Sequence, residues 1–105
     1  MRFEKTFGET IKKLREEKKL PLRQVAGALE IDTSMLGKIE KNSRKPTRSF
    51  IEKISKYFNV SDRNLIIAFL SDEVAYQIMN EESYAHEVLK VAEEKVEYLR
   101  TQKNS

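Results

Sequence analysis

The sequence predicts an all-α protein, on three observations. Apolar residues recur at the three- and four-residue spacings of helices along nearly all of its 105 residues. Residues suited to capping helices stand before most of those stretches. Glycine (3) and proline (2) are too scarce for a sheet protein built on tight turns.

The elements follow in order. Thr6-Phe7-Gly8-Glu9 reads as a capping box, and Phe7, Ile11 and Leu14 continue at helical spacing. Lys18 and Lys19 suit the negative pole at that helix's end. Pro21 can open a second helix, striped by Val25, Ala26 and Leu29. Asp32 suits the N-cap of a third, with Leu36 and Ile39 turned inward. Residues 42–46 form a polar, basic loop, and Thr47 can cap a fourth helix carrying Ile51, Ile54 and Phe58. Ser61 or Asp62 starts a fifth, with Leu65, Ile66 and Phe69. A short helix is expected from Asp72 to Met79, then a break at residues 80–83. A last helix runs from Tyr84 to about Arg100, followed by a frayed end at residues 101–105. Along it Ala85, Leu89, Ala92, Val96 and Leu99 form a seam of a little over two heptads, widened by Tyr84, Val88, Val91 and Tyr98. Such a seam pairs with a second copy of the chain, with help from Val74, Ile78 or the 65–70 region, or folds back on the chain's own first domain.

Composition narrows the function classes. There is no cysteine, hence no disulfide framework and no thiolate for a metal or a nucleophile. His86 is the only histidine and reads as a surface residue of the last helix. No glycine-rich phosphate loop is present, and the carboxylates are spread over helix faces. No catalytic residue, metal site or cofactor is therefore expected, and the chain does not read as an enzyme. The longest apolar run, residues 65–70, is far short of the roughly 20 residues that span a membrane. Residues 1–5 lack the apolar stretch of a signal peptide, so a cytoplasmic location is expected. The net charge of +3 is uneven. Residues 1–60 hold 15 Lys/Arg against 8 Asp/Glu, giving +7, while residues 61–105 hold 5 against 9, giving −4. A basic first half suits a polyanionic partner.

The informative stretch is Leu22 to Ile39. Two short helices can project the second into a groove only if four conditions hold. They need a small residue at their contact, apolar inner faces, a tight connection, and a polar outer face on the second helix. Ala26 is the small residue; Val25, Leu29, Ile31, Leu36 and Ile39 are the inner set; Glu30-Ile31-Asp32 is the turn; Thr33, Ser34, Gly37 and Lys38 are the outer face.

This pattern, over about Phe7 to Leu70, resembles the phage-repressor or XRE-type helix-turn-helix family. Leu20-Pro21-Leu22-Arg23-Gln24-Val25-Ala26 opens the matching unit, residues 35–42 end it, and Arg44-Lys45-Pro46-Thr47 resembles the family's loop before the fourth helix. The resemblance implies a five-helix lambda-repressor-like DNA-binding domain at residues 1–70, with residues 71–105 as a helical extension that dimerises. It implies a transcriptional regulator, such as a repressor, that binds double-stranded DNA as a homodimer. The reading helix, about residues 33–41, would lie in the major groove. Thr33, Ser34, Lys38, Gly37 and Met35 are the candidates for base contact. Arg15, Leu22, Arg23, Lys41, Asn42, Ser43, Arg44 and Lys45 are the candidates for phosphate contact. In the family an arginine of the first helix pairs with a glutamate ending the third; Arg15 and Glu40 match those positions. Two departures stand out. Glu30 occupies the turn position where the family has glycine in a left-handed backbone, and Leu22 replaces a phosphate-binding glutamine, leaving only its backbone amide. The competing expectation is an antitoxin, or the controller of a restriction-modification system, whose acidic tail binds a protein partner.

Overall fold

A computed structural model describes residues 6–103; the expectation for residues 1–5 lies outside them. They fold into six helices, with no strand among the described residues: α1 (Phe7–Glu17), α2 (Leu22–Ala28), α3 (Thr33–Glu40), α4 (Arg48–Phe58), α5 (Asp62–Ile78) and α6 (Glu82–Lys103). The chain divides into two compact units, Met1–Asp72 and Glu73–Ser105.

The first unit holds the core. Phe7 and Ile11 of α1, Val25 and Ala26 of α2, Leu36 and Ile39 of α3, Phe50, Ile51, Ile54 and Phe58 of α4, and Leu65 and Ala68 of α5 are all buried. Each helix thus contributes the apolar stripe its periodicity announces, and burying such stripes supplies most of the stability of short helices. Thr6 and Thr47 cap as expected, their hydroxyls accepting from the amides of Glu9 (3.2 Å) and Phe50 (3.0 Å). Ser61 does the same for Asn64 at 3.3 Å. Asp32 precedes α3 in extended backbone, but its side chain makes no capping bond.

α1 to α4 end alike. Lys19, Glu30, Asn42 and Asn59 each take a left-handed backbone, at φ 54°, 58°, 62° and 53°. The next amide then folds back on a carbonyl of the last turn: Leu20 to Arg15, Ile31 to Ala26, Ser43 to Lys38 and Val60 to Ser55, at 2.9 to 3.2 Å. These are Schellman closures, which satisfy carbonyls that the helix leaves unpaired. Leu20, Ile31 and Val60 also pack on the core, the apolar contact such closures favour. None of the glycines takes the left-handed position, so Glu30 carries the strain that glycine would avoid.

Two boundaries differ from the sequence reading. The expected fifth helix and the separate short helix from Asp72 are one helix, α5. Asp72 lies within that helix and caps another: its Oδ2 accepts from the Phe7 amide at 2.7 Å. α6 runs past Arg100 to Lys103, and the Thr101 hydroxyl donates to the Tyr98 carbonyl within it.

In the second unit α6 buries nothing. Its seam is open to solvent, with Leu89 45%, Val96 57% and Leu99 61% exposed. No helix among the described residues is long and apolar enough to cross a membrane.

Candidate nucleic-acid interface

α2 and α3 pack against each other through Val25, Ala26, Leu36 and Ile39, all buried, and a closure at Glu30 and Ile31 turns one into the other. The eight-residue α3 buries Leu36, Ile39 and Glu40, which leaves the opposite side to solvent. Thr33, Ser34 and Lys38 lie there, exposed, and Lys41 follows as its C-cap. Positions 33, 34, 38 and 41 share one helical face. Arg44 and Lys45 are exposed in the loop that follows, and Arg23 is exposed on α2. Arg48, the first residue of α4 and absent from the predicted set, extends this basic run.

Other predicted positions are placed differently. Gly37 is half-buried, and a Cβ there would sit 3.4 Å from Leu22 Cδ2, in ordinary contact with α2. Leu22 itself packs on the core. Met35 is half-buried and lines a crevice of about 120 Å³ with Ile31, Phe50, Arg44 and Lys53. The Ser43 hydroxyl donates to the Lys38 carbonyl at 3.2 Å, closing the end of α3. Asn42 is occupied at both ends: its Oδ1 accepts from the Gly8 amide at 3.1 Å and its Nδ2 donates to the Thr6 hydroxyl at 2.8 Å.

Arg15 and Glu40 form a bidentate pair. Arg15 Nε donates to Oε2 at 2.8 Å and Nη2 donates to Oε1 at 3.0 Å, while Nη1 donates to the Leu20 carbonyl at 2.9 Å. The Glu40 side chain is 5% exposed and that of Arg15 13%. The hydrogen bonds to Glu40 raise the Arg15 pKa above its ordinary value, so the guanidinium stays charged at any working pH. Planar, two-point pairing of this kind fixes angle as well as distance. It ties the end of α1 to the end of α3.

Gly8 sits at a close approach of α1 to the end of α3. A Cβ on it would lie 2.5 Å from the Ile39 carbonyl and 2.6 Å from that of Glu40. Only glycine lets the start of α1 rest on the last carbonyls of α3. His86 is exposed on α6, and no group of three or more potential metal ligands occurs among the described residues.

Two short helices joined by a tight turn, the second with a polar face beside a run of cations, define a helix-turn-helix DNA-binding protein. The chain belongs to the XRE-type helix-turn-helix family: the family's helix-turn-helix domain model matches residues 8–70, more than half of it. Two solved structures bear this out. The N-terminal DNA binding domain of SinR from Bacillus subtilis is 34% identical, with a TM-score of 0.53 over 57% of this chain and 88% of that one. A chain of a SinR protein/SinI protein complex is 26% identical, with a TM-score of 0.54 over 95% of this chain and 100% of that one. A search of curated proteins finds no match. Family and fold together make this a DNA-binding regulator.

Proposed function

We propose that the protein is a sequence-specific transcriptional regulator that binds a near-palindromic operator as a homodimer in the cytoplasm, with α3 in the major groove. The observation that carries this reading is the exposed face of α3, polar at Thr33, Ser34 and Lys38 and flanked by Arg23, Lys41, Arg44 and Lys45. Hydroxyls at the start of a helix can donate to or accept from base edges, and a lysine can donate to guanine O6 and N7. The flanking cations hold the phosphates and set register. Met35 and Gly37 are half-buried and present less surface to bases than Thr33, Ser34 and Lys38. Asn42 and Ser43, exposed beside these cations, also shape the exit of α3 through their hydrogen bonds.

One reading helix covers only a few base pairs, so a two-fold pair of them is needed to find a site in a genome. The open seam of α6 suits that pairing, since Val88, Leu89, Val91, Val96 and Leu99 are exposed. Selection of bound DNA by the purified protein tests the reading. An inverted repeat with half-sites about 34 Å apart is expected; no enriched sequence would refute it.

One comparison favours a second role for residues 73–105. The likeness to a chain of the SinR protein/SinI protein complex extends over 95% of this chain, well beyond the DNA-binding domain. The exposed face of α6 would then take a protein partner instead of, or in competition with, a second copy. A toxin gene beside this one would make the protein an antitoxin, and a restriction or methyltransferase gene would make it a controller.

A further inference from the structure

Two side chains from distant parts of the chain join the local cap Thr6 at the first turn of α1. Its amides would otherwise lack partners, as at every helix start. Asp72 of α5 takes the Phe7 amide at 2.7 Å, Asn42 at the exit of α3 takes the Gly8 amide at 3.1 Å, and Thr6 takes that of Glu9. Phe69, one turn before Asp72, meets the Phe7 ring edge-to-face with centroids 6.0 Å apart. Phe7 is therefore held by α5 through both its ring and its amide. Its neighbour Gly8 is held by α3 through Asn42 and rests on the carbonyls of Ile39 and Glu40. Two consecutive residues of α1 thus join α5 to the end of α3, with no direct bond between those helices required.

We propose that Asp72 is a positioning residue for the reading helix: through the Phe7 and Gly8 amides it fixes Asn42, and with it the left-handed exit of α3. The charge fits this task, because a carboxylate at a helix start is favoured by the helix dipole and makes a stronger bond than a neutral acceptor. The placement fits too. Asp72 is the last residue of the first unit, and α5 continues beyond it into the second. That α3 reads DNA rests on the function proposed above; the positioning itself does not.

Hydrogen exchange on the full-length protein tests this without DNA, comparing wild type with Asp72→Ala and Asp72→Asn. In Asp72→Ala, exchange should quicken about tenfold, the scale of one charge-assisted hydrogen bond, at Phe7 and Gly8 and also at Asn42 and Ser43. The core amide of Ile54 should hold its rate, and Asp72→Asn, which keeps an acceptor, should recover most of the protection. Acceleration confined to Phe7 and Gly8 would make Asp72 a local cap and overturn the proposal. Equal acceleration through Ile54 would reduce it to general stability and overturn it as well. A second arm measures affinity for selected DNA: Asp72→Ala should bind several-fold more weakly with an unchanged salt slope, since no phosphate contact is lost. Wild type that binds no DNA would refute the functional reading while the exchange result stands.

Discussion

Replacing Gly8 with alanine sets helix propensity against packing, and the structure predicts that packing wins. By propensity alone, alanine in α1 should stabilise by up to about 1 kcal/mol. The added Cβ, however, would meet the Ile39 carbonyl at 2.5 Å, the Glu40 carbonyl at 2.6 Å and Asn42 Oδ1 at 2.6 Å. Two of these are backbone atoms held by the closure of α3, so the start of α1 must move instead. Overpacking of that kind costs about 1–3 kcal/mol. Moving α1 also stretches the Gly8–Asn42 bond, for about 1 kcal/mol more. The net is a loss of about 2 kcal/mol, or a melting point lower by about 8–16 °C for a domain of this size. Gly27 supplies the control. It is exposed in α2 with nothing within 4 Å of its Cβ position, so Gly27→Ala should raise the melting point by a few degrees. Thermal melts of both variants by circular dichroism decide the matter. A Gly8→Ala protein that melts at or above wild type would refute the close approach of α1 to α3.

Glu40→Ala should lower stability in urea by about 3 kcal/mol, the lower end for breaking a buried pair, because Arg15 keeps the Leu20 carbonyl. It should also weaken DNA binding although a negative charge is removed; tighter binding would show that the pair has no part in shaping α3. Arg44→Ala and Lys45→Ala should each weaken binding to all sequences alike and flatten the log–log salt dependence by about 0.9. Unchanged slopes would place the loop away from the backbone. In sedimentation, full-length protein should be dimeric at micromolar concentration and a chain ending at Ile78 monomeric; equal dimerisation of both would move the interface out of α6.

Helices α1 to α4 were legible because apolar spacing agreed at each with a residue suited to a helix start, Thr6, Pro21, Asp32 or Thr47, although Asp32 makes no capping bond. The Arg15–Glu40 pair came from family resemblance, since nothing in the spacing of residues so far apart announces a contact. What escaped was governed by partners distant in sequence. Asp72 looks like a helix start, and only the fold shows its carboxylate on an amide 65 residues away. Asn42 sits among basic residues and so reads as a phosphate ligand, yet both ends of its amide are used by Thr6 and Gly8. Gly37 falls on the polar side of a helical wheel, but Leu22 from the neighbouring helix leans over it. The closures at Lys19 and Asn59 were hidden for another reason: the usual marker is glycine, and none stands there, whereas Glu30 was marked by the glycine its family places in that turn.

The central claim is that the exposed face of α3 reads bases. Parallel selection of DNA by wild type and by Lys38→Ala tests it most directly, since the two motifs can be compared position by position. Lys38 is exposed on that face, and its loss removes donors without touching the core. The account predicts that preference collapses at one position in each half-site, by about 1–3 kcal/mol, while the rest of the inverted repeat survives. An identical motif from both proteins, with the same preference at every position, would contradict it.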